Sequence, residues 1–129
     1  MKTSAYHSLW ALICLGYGIL FTLMPALAGS LYGVATEPQL LMMGRYFGVT
    51  LIGYGMFRWM IRNNVDSSAT RQFVTTDLIH CVLLTAVTLY SIVTGAQNSF
   101  GWGTVALAIG LAWAALSTLR ANAGRYSAA

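Results

Sequence analysis

The sequence predicts an all-α integral membrane protein, a four-helix antiparallel bundle with both termini cytoplasmic, and three observations carry that prediction. The chain of 129 residues is 57% hydrophobic and only 8% charged, where a soluble domain has roughly 25% charged residues. Four apolar stretches, residues 8–28, 40–61, 73–94 and 102–119, have about the 20 residues that a helix needs to cross the hydrocarbon core. The basic residues gather on one side of those crossings. A single four-span domain over 1–129 uses the whole chain, which excludes disorder, a disulfide scaffold and a sizeable soluble second domain.

Apolar periodicity says little about a helix in lipid, so small and polar residues mark the packing faces. The first span carries Ala11, Cys14, Gly18, Thr22 and Pro25 at helical spacing, with Pro25 a kink or helix end near the outer face. Lys2, the apolar run and the Ala26-Leu27-Ala28 segment resemble a secretory signal, but the run exceeds the 7 to 15 residues of a signal core, so the span is read as retained. The second span lines up Gly44, Gly48, Leu51, Gly55, Arg58 and Arg62 at three- and four-residue steps. Its Gly44 and Gly48 form a GxxxG pair, read here as packing within the bundle. The third span is the polar one, with Asp77, His80, Leu84, Thr88 and Ser91; the fourth presents Gly103, Ala106, Gly110, Ala114 and Ser117. Loops with Gly33 and Pro38, with polar residues 62–72, and with Gly95, Asn98 and Gly101 separate the spans. Small residues on every face argue for a tight bundle and against a wide pore.

Orientation follows from the positive charges, which collect on cytoplasmic flanks. Lys2, Arg58, Arg62, Arg71, Arg120 and Arg125 share one side, and only Arg45 approaches the other. Both ends and the middle loop around Asp66 are therefore expected in the cytoplasm, in a bacterial inner membrane. The net charge of +4 reads as this orientation signal together with attraction to anionic lipid, and nucleic-acid binding is rejected because no soluble basic surface exists. Trp10, Trp59 and Tyr126 on the inner side, and Tyr32, Phe100 and Trp102 on the outer, fit interface anchors.

Ionisable groups inside the bilayer are functional suspects by default. Arg58 lies about 4.5 Å from the inner end of its span and Asp77 about 6 Å from that of the next, so an Arg58–Asp77 ion pair is expected, read as a structural pair that fixes register. Tyr17, Tyr54, His80 and Trp113 fall about 9 to 14 Å deep, one per span. They form either a satisfied internal network or a candidate pocket for a quinone, a lipid headgroup or a pigment. His80 could ligate haem or chlorophyll, although His7, near the interface, is not at the depth of a second axial ligand. No cofactor is the preferred reading. Neither a second intramembrane histidine, nor a carboxylate pair, nor a CxxC motif offers a metal site or a catalytic residue. Cys14 and Cys81 read as buried small hydrophobes without a disulfide. Arg45 is expected to snorkel outward, with Glu37 in reach. Gly44, Gly48, Gly55, Gly103 and Gly110 are the expected helix-packing glycines.

The run Pro25-Ala26-Leu27-Ala28-Gly29-Ser30-Leu31-Tyr32-Gly33, followed by Gly44-Arg45-Tyr46-Phe47-Gly48, resembles the first two spans of the small DoxX-like four-helix bacterial membrane proteins. The resemblance implies a compact inner-membrane bundle, sometimes partnered with redox or thiosulfate-linked complexes, and transfers no catalytic residue.

Three functions follow as expectations. The first is a non-catalytic accessory or scaffold subunit that meets other membrane subunits, or itself, through its small-residue faces. The second is a module that binds a small hydrophobic ligand, a quinone or a pigment through His80. The third is a small proton-coupled transporter working through Asp77.

Overall fold

The computed structural model describes residues 2–35, 37–63 and 67–126, without the side chains of Ser67, Arg125 and Tyr126. The Asp66 tip of the middle loop, the Arg125 charge and the Tyr126 anchor thus lie outside the described residues. The elements are α1 (Thr3–Leu23), α2 (Pro25–Leu31), α3 (Pro38–Ile61), α4 (Ser67–Val93), α5 (Gly101–Ala121) and α6 (Ala123–Tyr126). By length and composition α1, α3, α4 and α5 can cross a membrane, with mean hydropathy from 1.2 to 1.7. Among the described residues there is no strand.

The first span differs most from expectation: its helix starts at Thr3, not Ser8, and stops at Leu23, not Ala28. Proline lacks the amide proton and clashes with the carbonyl four residues back, so the chain leaves the helix at Met24 (φ −129°, ψ 53°) and restarts as α2 with Pro25 in its first turn. A second proline, Pro38, opens α3 after an extended Glu37. At the other junction α4 begins at Ser67 rather than Phe73, because residues 67–72 contain neither Gly nor Pro to stop a helix.

The helices associate as two pairs, α1 against α3 and α4 against α5, with a lesser meeting of α1 and α5. Glycine makes the first pair possible. A Cβ on Gly48 would stand 2.6 Å from the Thr22 amide nitrogen and 2.8 Å from the Gly18 carbonyl oxygen, and one on Gly55 would stand 2.9 Å from Leu15 Cγ. These two backbones touch almost directly, which in lipid yields the dispersion contact that a hydrophobic driving force cannot supply. Gly44 leaves ordinary room, 3.6 Å from Pro25 Cβ.

Helix α5 corrects the expected packing face. Gly103, Ala106 and Gly110 are exposed, and a Cβ on Gly103 or Gly110 would meet nothing within 4 Å. The buried face is Gly101, Val105, Ala108, Leu111, Ala114, Ala115 and Thr118. Leu111, Ala114 and Ala115 join Tyr6, Trp10, Cys14, Val74 and Cys81 in the core. That face is itself built largely of small residues, Gly101, Ala108, Ala114 and Ala115, with Val105 and Leu111 among them, while Trp102, Ile109 and Trp113 turn outward; small residues let a neighbouring helix approach closely. Around the perimeter Leu12, Met43, Val82 and Ile109 are exposed along with most large apolar side chains, a surface suited to hydrocarbon rather than water.

Most hydroxyls satisfy themselves within their own helix. On α4 and just past its end, Thr75, Thr76, Thr85, Ser91 and Thr94 each donate to the carbonyl four residues back, at 2.8 to 3.0 Å.

Candidate functional site

Two features stand next to each other: a buried charged cluster and an apolar cavity. The cluster is centred on Arg58, which is 0% exposed, and Asp77, which is 2% exposed. Three elements assemble it. The start of α1 supplies Tyr6 and His7, the end of α3 supplies Tyr54 and Arg58, and the first turns of α4 supply Asp77. The Arg58 guanidinium pairs with Asp77 Oδ1. Its Nε donates to the Tyr54 hydroxyl at 2.9 Å, and its Nη1 donates to His7 Nδ1 at 2.9 Å. A guanidinium only donates, so His7 accepts at Nδ1 and carries its proton on Nε2. Asp77 also accepts from Tyr6 at 2.7 Å and from Tyr54 at 3.0 Å.

Aromatic rings close the cluster: the guanidinium carbon lies 4.9 Å from the Tyr54 ring centroid, 5.2 Å from Phe73 and 5.8 Å from Trp10, within the distance at which a ring face attracts a cation. Every charge here is matched, and both carboxylate oxygens are engaged. Chemically the cluster is a clamp that ties α1, α3 and α4 together at one end.

Beyond Trp10 lies a cavity of about 470 Å³ between the two helix pairs. Trp10, 5% exposed, stands edge-on to Tyr54 at 6.5 Å and to His80 at 6.0 Å between ring centroids. It lines the cavity and also covers Arg58, so the guanidinium does not reach that space. The walls are mostly apolar, among them Leu51, Leu84, Leu107 and Leu111, and no Asp, Glu, Lys or Arg lines them. Polar groups occur further along: Tyr17, Tyr32, Thr88, Ser91 and Thr104. Tyr32 and Thr104 share a hydrogen bond of 3.1 Å, and Tyr17 interacts with Tyr32. Helices α3 and α4 meet through the long side chains of the cluster and do not pack along the cavity, whose lining includes the exposed Phe47 and Val87. The cavity therefore opens sideways, between α3 and α4.

At the opposite end Asn98 seals the connections. Its Nδ2 donates to the Leu31 carbonyl at 3.0 Å and its backbone amide to the Tyr32 carbonyl at 3.1 Å. Gly33, at φ +72°, lies so close that an added Cβ would stand 3.1 Å from the Asn98 side chain.

The expected layer of four aromatic groups does not assemble. His80 and Tyr17 line the cavity, but Tyr54 belongs to the charged cluster and Trp113 is 72% exposed on the outer face of α5. The reason for Trp113 is helical phase: Leu111, Ala114, Ala115 and Thr118 take the inward positions, which turns residue 113 outward. Equal depth places residues at one level without placing them on one face. His80 has an exposed ring at the cavity rim, while Asp77, three residues earlier, is buried. Cys14 and Cys81 are buried free thiols. Arg45 is exposed and forms no ion pair with Glu37 among the described residues.

Tyr6, His7 and Trp10 were not singled out as site residues by the sequence. The signal was present: the stripe Ala11, Cys14, Gly18 continues backward by three- and four-residue steps through His7 to Thr3, and all of these are buried. Among the described residues no three His, Cys, Asp or Glu side chains converge as metal ligands would. No protein family, curated protein or solved structure matches the chain.

Proposed function

We propose that this chain is a non-catalytic, multi-pass membrane protein that shelters a small lipophilic molecule in the cavity between its helix pairs. The observation that carries the reading is the cavity itself. Its volume of about 470 Å³ falls in the range of roughly 300 to 1,000 Å³ usual for small-molecule sites. It persists in a fold whose α1–α3 seam closes to backbone contact. The reading includes an antiparallel bundle with both termini cytoplasmic in a bacterial inner membrane, supported by the bias of positive charge. The likeness of the first two spans to DoxX-like proteins belongs to the same proposal.

The test is purification in mild detergent followed by extraction and mass spectrometry of what the protein retains. Leu84→Trp and Leu107→Trp, which fill the cavity, should each remove a retained molecule from an intact, folded protein. Equal retention by both variants would overturn the reading. An absorbance spectrum separates the occupants: bands lost in His80→Ala indicate haem or chlorophyll, and a colourless protein leaves a quinone or a lipid.

A second reading is an accessory subunit of a larger membrane complex, favoured by the exposed small residues Gly103, Ala106 and Gly110 on α5, which would let a neighbouring helix approach closely. A lone stable monomer with no partner after gentle solubilisation would count against it. A transporter working through Asp77 finds no support in the geometry, because that carboxylate is buried, engaged by Tyr6, Tyr54 and Arg58, and does not line the cavity.

A further inference from the structure

The walls of the cavity restrict what can occupy it. A buried site without a charged side chain cannot match the charge of an ionic headgroup, and an uncompensated charge in such a place is costly. The occupant is therefore neutral. Its polar part needs a partner, and one cavity-lining hydroxyl on α4 makes no hydrogen bond among the described residues.

Thr75, Thr76, Thr85, Ser91 and Thr94 all bond back to their own helix. Thr88 does not: it makes no hydrogen bond among the described residues, is only 4% exposed, and lines the cavity. With the outside closed to it, the cavity is where that hydroxyl can find a partner. The enclosed atoms without a partner among the described residues are Trp10 Nε1, Thr22 Oγ1 and Gln97 Oε1; the Thr88 oxygen is not one of them, so it keeps access to the cavity, where a polar group can satisfy it.

Level brings a second group to the same place. Counting from the Arg58 cluster at roughly 1.5 Å per residue, Thr88 lies about 16 Å beyond Asp77, and Tyr17 about 15 Å beyond His7. Tyr17 is backed by the Tyr32–Thr104 hydrogen bond. Between that level and Trp10 the lining includes Leu51, Leu84, Leu107, Leu111 and Cys14, with His80 beside Trp10 at the far end, a mostly apolar chamber. Polar at one level and greasy below it, the cavity is itself amphiphilic.

We infer that the cavity takes an uncharged lipid with a hydroxyl or carbonyl head, the head hydrogen-bonded by Thr88 and Tyr17 and the apolar body lying toward Trp10. Entry is through the lateral opening between α3 and α4, so the molecule comes from the bilayer. This rests on the ligand-binding reading above and adds the chemical class and the recognition groups.

The test uses the full chain in detergent and native mass spectrometry with three added probes: a short-chain alkyl benzoquinone, a diacylglycerol and phosphatidylglycerol. We expect saturable one-to-one binding of at least one neutral probe, with phosphatidylglycerol bound no better than to detergent-matched Leu107→Trp. Which neutral probe binds distinguishes a carbonyl head from a hydroxyl head. The isosteric Thr88→Val, and separately Tyr17→Phe, should weaken that binding about three- to tenfold, the range for one neutral hydrogen bond. Both variants are expected to keep wild-type thermal stability. Binding that Leu107→Trp abolishes but Thr88→Val and Tyr17→Phe leave unchanged would overturn this inference and leave the cavity reading standing. Preference for phosphatidylglycerol, or no binding of either neutral probe, would also overturn it. Probe binding that persists equally in Leu107→Trp would sink both.

Discussion

Tyr6 donates its hydroxyl to Asp77 Oδ2 at 2.7 Å, across 71 residues of sequence, and this leaves Oδ1 to Tyr54 and Arg58. A phenol from the first helix thus completes the coordination of a carboxylate on α4. Removing one member of a buried charged set costs more than removing the set, because the survivor stays desolvated. Arg58→Met should lower unfolding stability in detergent by about 3 to 5 kcal/mol, and Tyr6→Phe by about 1.5 to 3 kcal/mol, as for a hydrogen bond to a charged group. The double variant Arg58→Met/Asp77→Leu should recover a large part of the single loss. Equilibrium unfolding of the wild type, Tyr6→Phe, Arg58→Met, Asp77→Leu and the double variant in one micelle system checks this, and a double variant worse than the sum of its singles would contradict it.

The glycines separate into those that a neighbour occupies and those with open space. Gly48→Ala drives a methyl into the α1 backbone at Thr22 and Gly18 and should cost about 1 to 3 kcal/mol, as overpacking does. Gly110→Ala meets nothing and should leave stability unchanged or raise it by about 0.5 to 1 kcal/mol, the helical preference for alanine. The two substitutions are chemically identical, so their difference in unfolding midpoint isolates the seam.

Positive φ gives a second controlled comparison. Gly33 at +72° and Gly95 at +75° both demand a left-handed backbone, but only Gly33 has a neighbour, Asn98, within reach of an added Cβ. Alanine at either position should cost about 1 to 2 kcal/mol for the backbone alone. Gly33→Ala should cost more, because it also pushes the Asn98 side chain off the Leu31 carbonyl. Thermal unfolding of both variants and of Asn98→Ala tests this, with Asn98→Ala predicted to reduce the excess penalty at Gly33.

Orientation is open to a labelling experiment. In a background lacking Cys14 and Cys81, single cysteines at Lys2 and Asn63 should react with a membrane-impermeant maleimide only after the cells are opened. One at Ser99 should react in intact spheroplasts. Labelling of Asn63 and Ser99 from the same side would refute the four-crossing arrangement.

Span number was legible because hydrophobic length is a property of composition, and four stretches of sufficient length leave little choice. The levels of Arg58 and Asp77 were legible for a related reason: each could be counted from a helix end beside one short loop. What counting misses is rotation about the helix axis. Trp113 sits at a plausible depth and faces outward, and Gly103 and Gly110 form a regular stripe on a face that touches no other helix. In a soluble helix the apolar stripe would reveal the inward direction, but in lipid both faces are apolar, so phase is fixed only by the neighbour that the sequence does not name. Preceding the apolar run, His7 has the sequence position of an interface residue. The helix starts at Thr3 instead, which carries His7 into the core beside Arg58.

The placement of Trp10 makes it a partition. One part of the molecule's interior holds a matched pair of charges, the other a greasy chamber, and the Trp10 indole stands at both. Such a divider lets the chain keep a strong clasp at one end without imposing its field on whatever shelters next door. Thinning that wall would bring the clasp and the chamber into contact at once, so a change at this one indole would be felt in both halves of the interior.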